Sequence, residues 1–357
     1  MKNILVLSGG AFKGAFQVGA LRVLKDAGIK WDYTVGISTG ALQGLLTAMD
    51  AQDRLEALWE QVAQNGAGMI YTSELLDQVN GVPKVSFKKV YNMIKPRLTP
   101  KLIWQLLSEK GRLAIISDII GRTNTIEALA DNQPLQDLLL SLLNEYPLVM
   151  PSGCGAVSLY DSQYYFKTNK DFSSLSEYAK FVKASASMPM VWKSTNVTGG
   201  DGITMFNLVD GGIRNISPLG DAISFVNAQE DPEGCCIWTI NTQLAHLDTD
   251  PSPTWPVMKT GDRALDIVLS EVITNDIDQF MEYNSFAQQA AGFGHTLTMR
   301  NGRSVKAFKS MVIEPTESLG GSMDASAEAI KQRIKHGMER AYEVLSSKAT
   351  TPFWPPQ

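Results

Sequence analysis

The stretch from Ile4 to Leu46 constrains this chain most, because it holds two glycine-rich turns, each at the end of a short apolar run and the start of a helix-like one. Ile4 to Leu7 precedes Ser8-Gly9-Gly10-Ala11-Phe12-Lys13-Gly14, and Tyr33 to Ile37 leads into Gly36-Ile37-Ser38-Thr39-Gly40. Apolar runs of this length suit buried parallel strands, so the pattern reads as two strand–turn–helix units in succession. If the strands are neighbours, their turns emerge at one edge of the sheet, where open α/β sheets bind ligands. Ser38 stands in G-x-S-x-G, the pattern of a nucleophile elbow. Gly36 and Gly40 remove the Cβ atoms that such a bend would crowd. In the first turn Gly9, Gly10 and Gly14 let backbone N–H groups converge, and a helix from about Ala15 to Ala27 would add its positive end. One turn then offers a nucleophile, and the other (Gly9, Gly10, Ala11, Phe12, Lys13, Gly14) an oxyanion hole.

Further along, small apolar residues from Ala41 to Ala48 suit a helix buried behind Ser38. From Asp50 to Pro147 the pattern turns helical, with Leu55, Leu58, Trp59 and Val62 on one face and Leu135, Leu138, Leu139 and Leu142 on another. No strand is expected there, and the segment reads as a helical lid inserted between core elements. A hairpin is expected around Tyr160-Asp161-Ser162, then a helix from Ser173 to Ala184 running into Ala184-Ser185-Ala186-Ser187-Met188-Pro189. Met205 to Val209 forms a strand that delivers Asp210, and Gly211-Gly212 permits a tight return. Cys236–Ile240 and Val305–Ile313 read as strands, Leu265–Met281 and Ala325–Leu345 as amphipathic helices. Residues 1–349 are expected to form one catalytic domain with 50–147 as its lid, and the proline-rich residues 350–357 a tail.

Four blocks, SGGAFKGAFQVGAL, GISTG, ASASMP and Asp210-Gly211-Gly212, occur in the order found in the patatin-like phospholipases, and the chain resembles that family from Met1 to Leu219. It departs from the pattern at Ala11, where the family usually carries a third glycine. The resemblance implies a three-layer α/β/α fold with a mostly parallel central sheet, and hydrolysis of acyl esters by a Ser38–Asp210 dyad that uses no histidine. The implied partner is a phospholipid or another acyl-ester lipid, and no cofactor or metal is implied.

Composition narrows the function classes. The net charge of -5 argues against a general nucleic-acid binder. No apolar run approaches the roughly 18 residues of a membrane span, and Met1 to Leu7 is too short for a signal sequence. Cys154, Cys235 and Cys236 match neither a disulfide framework nor a zinc motif, which fits reduced thiols in a cytoplasmic protein. Within this acidic chain, Gly81 to Arg122 is locally basic, with Lys84, Lys88, Lys89, Lys95 and Arg97 among aromatic and aliphatic residues. Such a surface suits transient settling on an anionic membrane; an ordinary solvated helix face explains it equally well.

Serine needs a base. Asp210 serves if it reaches Ser38 directly. Ser38, Asp210 and His295 also occur in α/β-hydrolase order, which keeps a histidine triad open. Asp201-Gly202 is a competing acid–glycine pair without a preceding apolar strand. The first turn lacks the G-K-[ST] ending of a nucleotide P-loop. A lipid-binding protein without catalysis is the remaining alternative. Lys13 either draws anions to the loop or braces it.

Overall fold

A computed structural model describes residues 1–74, 76–86, 88–89, 128–229, 234–244, 247, 249–254, 257–300, 302 and 304–346. Its centre is an eight-stranded sheet of β1 (Lys2–Leu7), β2 (Tyr33–Gly36), β5 (Ser152–Ser158), β6 (Tyr164–Thr168), β7 (Thr195–Thr198), β8 (Thr204–Asp210), β9 (Cys235–Ile240) and β12 (Lys309–Ile313). The path runs β12-β9-β1-β2-β5-β8-β7, parallel from β12 through β5, with β6, β7 and β8 antiparallel.

The helices are α1 (Ala15–Asp26), α2 (Thr39–Ala48), α3 (Gln52–Asn65), α4 (Gln133–Glu145), α5 (Leu175–Ser185), α6 (Leu219–Asn227), α7 (Val257–Gly292) and α8 (Ala327–Ser346). One sheet face is covered by α1 to α5 and α8, and the other by α6 and α7, each with its own apolar cluster. Covering both faces is what makes Ile4 to Leu7 fully buried and apolar without alternation.

The site depends on how β5 uses its edges. β6 lines one edge along Gly153 to Val157. β2 and β8 therefore share the other edge end to end, β2 against Ser152 to Cys154 and β8 against Ala156 to Ser158. β8 runs antiparallel to β5, so its last residue, Asp210, arrives head-on at the carboxyl end of β2, where Ser38 begins α2.

Several expectations need correction. Residues 50–147 are not wholly helical: β3 (Leu76–Val79) and β4 (Val82–Val85) form an antiparallel hairpin. Asn80 and Gly81 at its tip both have positive φ, 52° and 80°. Asn-Gly is the favoured pair for a two-residue turn of this kind, so the signal was present in the sequence. Nor are α3 and α4 a separable cover, since Leu55, Trp59, Leu135 and Leu139 belong to the same apolar cluster as α1 and α2. Val305–Ile313 splits into the two-residue β11 (Ser304–Val305), which pairs with β10 (Leu297–Thr298), and β12. The helix expected at Leu265–Met281 extends over all of Val257–Gly292. Lys95 and Arg97 lie outside the described residues.

α1 and α8 touch at backbone distance. A Cβ on Gly19 would lie 1.9 Å from the Ile334 carbonyl oxygen, and one on Gly337 would lie 1.9 Å from that of Phe16. Alanine is the better helix former by about 1 kcal/mol, yet here it forces the helices apart. Gly19→Ala and Gly337→Ala are each expected to lower unfolding stability by about 1–3 kcal/mol in urea titration. Unchanged or raised stability would contradict this contact.

Candidate active site

Ser38 occupies the N-cap of α2 with φ 56° and ψ -125°, a conformation that holds the residue above the sheet edge. Only close backbone approach permits that bend: a Cβ on Gly36 would lie 2.1 Å from the Gly40 carbonyl oxygen, and one on Gly40 2.3 Å from that of Leu7. The strain is held by hydrogen bonds from Gly40 N–H to the Ile37 carbonyl at 2.8 Å and from Ile37 N–H to the Leu7 carbonyl at 3.1 Å.

Asp210 is 7% exposed. Its Oδ1 accepts the Gly212 N–H at 2.7 Å, which explains the two glycines after it. Burial pushes its pKa up to about 6, while the Ser38 hydroxyl and the Gly212 amide pull it down. Ser38 and Asp210 thus face one another, although they do not close a hydrogen bond of full geometry among those the described residues form. Such contacts commonly tighten only when substrate binds.

The loop of residues 9–14 lies against this pair, and a Cβ on Gly9 would stand 3.1 Å from that of Ser38. Its amides are not equivalent. Gly9 N–H donates to the Ile216 carbonyl at 3.0 Å, Phe12 N–H to the Ser322 carbonyl at 3.0 Å, and Lys13 N–H to the Gly10 carbonyl at 3.0 Å. Gly14 lies inside the short 3-10 turn Ala11–Gly14. Among the described residues only the Gly10 and Ala11 amides of this loop are left without an acceptor. Of the six residues expected to form an oxyanion hole, Gly10 and Ala11 thus keep an unbonded amide among the described residues. Ala11, at the departure from the family pattern, takes φ 48°.

Lys13 is a brace. It is 4% exposed, and its Nζ pairs with Asp266 Oδ1 at 2.8 Å and donates to Gln243 Oε1 at 3.1 Å. The Ala-Ser-Ala-Ser block, to which sequence reasoning gave no catalytic role, touches both Ser38 and Asp210. Ser185 Oγ accepts the Ser38 N–H at 3.3 Å, and the Ser187 carbonyl accepts the Asp210 N–H at 2.8 Å. Ser187 Oγ is itself held by Asn132 Nδ2 at 2.8 Å. No spacing rule points to these contacts, because they join residues distant in the chain.

Ser38 opens into a cleft lined by Ala11 and Phe12, by Leu42 and Leu46 of α2, by Leu55, Leu58 and Trp59 of α3, by Leu135, Leu138, Leu139 and Leu142 of α4, and by Met188 and Trp192. Almost every lining side chain is apolar. His295 is exposed beyond α7 and does not line the cleft, so the structure does not bring the third member of a triad to Ser38. His336 is a satisfied core residue whose Nε2 accepts the Thr316 N–H at 3.1 Å. Asp201 serves its own turn, accepting the Ile203 N–H at 3.0 Å. Lys84 and Lys88 are exposed, whereas Lys89 is spent within the hairpin, pairing with Asp77 at 2.9 Å and donating to the Ser73 and Leu76 carbonyls. Among the described residues no cluster of three His, Cys, Asp or Glu side chains suits a metal ion, and no helix is long and apolar enough to cross a membrane.

Burial of Asp210 sets a sign for stability. Its folded pKa lies above the unfolded value, so its contribution is fully present below about pH 4 and is lost as pH rises through about 6. Replacing it with neutral Asn removes that loss. The stability of Asp210→Asn minus wild type is expected to grow between pH 4 and 7 toward about 3 kcal/mol. A difference independent of pH in denaturation curves would show that the carboxylate is not desolvated.

Comparison with known proteins places these blocks. The family model described as Patatin-like phospholipase matches residues 5–223. Among solved structures, VipD from Legionella pneumophila is similar at 13% identity and a TM-score of 0.33, over 97% of this chain and 67% of that one. ExoU of Pseudomonas aeruginosa, solved full-length with SpcU, is similar at 13% identity and a TM-score of 0.27, over 78% of this chain and 52% of that one. This chain thus spans about two thirds and about half of those longer proteins. No curated protein sequence matches it.

Proposed function

We propose that this chain, which belongs to the patatin-like phospholipase family, is a serine acyl hydrolase that cleaves lipid acyl esters through a Ser38–Asp210 dyad. The observation that carries this reading is the meeting of a strained serine, a buried carboxylate and two unbonded amides at the mouth of an apolar cleft.

In the first step Ser38 Oγ attacks the acyl carbonyl and its proton passes to Asp210. The Gly10 and Ala11 amides donate to the oxygen as it gains negative charge. Collapse of that tetrahedral species expels the alcohol, which takes the proton from Asp210. Water then attacks the acyl-enzyme with Asp210 again as base, and the acid departs. The acyl chain lies in the cleft among Leu42, Trp59 and Leu139, where burial of each methylene contributes about 0.8 kcal/mol.

A carboxylate of ordinary pKa is a weak base at neutral pH. Burial raises Asp210 to about 6, close to the working range of a general base. Aligned donors supply the rest, since one oxyanion donor is worth about 3 kcal/mol in other hydrolases. Phospholipase A or lysophospholipase specificity is our preferred form of the activity, because apolar side chains suited to an acyl chain line the cleft.

Wild type is expected to hydrolyse p-nitrophenyl esters and mixed phospholipid vesicles. Its kcat/KM should rise with pH through about 6 to a plateau, as Asp210 loses its proton. Ser38→Ala and Asp210→Asn should each lose at least about 1000-fold while remaining folded. Activity retained in either variant would sink the dyad, and loss in His295→Ala would restore the triad.

The basic stretch is proposed as a membrane-settling surface, with Lys84 and Lys88 exposed on and after the β3–β4 hairpin. Reversing both charges to Glu should reduce flotation with anionic vesicles. Unchanged flotation would assign these lysines to ordinary solvation.

A further inference from the structure

The family match ends at residue 223, yet the loop that offers Gly10 and Ala11 is gripped by residues far beyond it. Asp266 of α7 is 8% exposed, and its Oδ1 accepts from both Lys13 Nζ at 2.8 Å and Ser322 Oγ at 3.0 Å. Ser322 uses its carbonyl to take the Phe12 N–H at 3.0 Å. On the other side of the same residue, Arg333 donates to the Phe12 carbonyl at 3.1 Å, and it also binds the carbonyls of Leu319, Gly321 and Asp324. Arg333 is 2% exposed. Just after β9, Thr242 Oγ1 donates to the Gly9 carbonyl.

Phe12 is thus held at both its N–H and its C=O, and Lys13 at its side chain. Between these fixed points and Gly9 stands Ala11, whose φ of 48° is unfavourable for a residue with a Cβ. Glycine would take that conformation freely. An alanine there requires surroundings that over-determine it. Relaxation of Ala11 toward negative φ would swing the peptide planes on either side of it, and with them the Ala11 N–H and the Gly10 carbonyl that precedes it.

We infer that Asp266 is a positioning residue for the oxyanion loop: through Lys13 and Ser322 it holds Ala11 in its strained conformation and keeps the Ala11 amide aimed at the reacting carbonyl. The inference rests on reading residues 9–14 as the oxyanion loop. Asp266 touches no substrate. Its effect falls on the step in which charge develops on oxygen, so it moves kcat and leaves ground-state binding alone.

The test uses the full chain and three variants, Asp266→Asn, the apolar pair Lys13→Met with Asp266→Leu, and Asp266→Asn combined with Ala11→Gly. The apolar pair guards against a folding defect, since it leaves no buried charge without a partner. On p-nitrophenyl esters, Asp266→Asn and the apolar pair should lower kcat about 10- to 100-fold with KM within about twofold, as expected for donors displaced by about 1 Å. Ala11→Gly should recover part of the Asp266→Asn loss, because glycine needs no clamp. A purely structural role for Asp266 would not give that recovery. Amide hydrogen exchange at Phe12 and Lys13 provides a readout that needs no turnover, and it should quicken in both unrescued variants while the sheet amides stay protected.

Unchanged kcat together with unchanged exchange would overturn the clamp and leave the hydrolase reading standing. A lowered kcat that Ala11→Gly does not relieve would also overturn it, placing Asp266 in general stability. If wild type hydrolyses no ester, the hydrolase reading falls, and exchange at Phe12 and Lys13 alone decides whether Asp266 holds the loop.

Discussion

Everything at the candidate site depends on one strand edge being shared. β5 is paired along its length by β6 on one side, and on the other it gives its first half to β2 and its second half to β8. Because β2 and β8 approach that edge from opposite directions, the residue leaving β2 and the residue ending β8 meet. Ser38 and Asp210 are 172 positions apart by their numbering in the chain (210 − 38), and no local structure could join them. The ladder does so with backbone hydrogen bonds, which are stiffer than any side-chain contact. Gly211 makes the meeting possible, since a Cβ there would lie 2.4 Å from the Gly155 carbonyl oxygen.

The electrostatics follow from this geometry. A carboxylate brought into the sheet edge loses water, and its pKa climbs to about 6 with only the Gly212 amide and the Ser38 hydroxyl to oppose the rise. Ordinarily an isolated buried charge is a defect. Beside a serine at a helix N-terminus, the proposed dyad would use it as a base with a proton affinity suited to neutral pH. The cost is borne by a polar network around the site: Ser185 on the Ser38 amide, the Ser187 carbonyl on the Asp210 amide, and the Lys13–Asp266 pair behind the loop.

The elements that a residue pattern can announce were legible. Ile4 to Leu7 and Tyr33 to Gly36 are parallel neighbours, as the paired glycine turns suggested, and the Tyr160–Ser162 hairpin sits where its turn residues stood. The β3–β4 hairpin was also written in Asn80-Gly81, but the helical periodicity around it obscured a four-residue strand on either side. What could not be read were contacts between distant segments. Nothing in the spacing of Ser185, Ser187 or Asp266 says that they touch Ser38, Asp210 or the loop of residues 9–14, because those contacts exist only after β5, α5 and α7 have packed. The same holds for the amides of residues 9–14. The segment offered six amides; tertiary bonding to Ile216 and Ser322 uses those of Gly9 and Phe12, the local turn uses those of Lys13 and Gly14, and Gly10 and Ala11 are left open.

The central claim is that Ser38 is a nucleophile activated by Asp210 alone. It is tested most directly by labelling the full chain with a fluorophosphonate and locating the adduct by peptide mass spectrometry across a pH series. The account predicts a single adduct on Ser38, forming faster as pH rises through about 6 and absent in Asp210→Asn. Labelling at another serine, or labelling of Ser38 that is indifferent to pH and to Asp210, would contradict it.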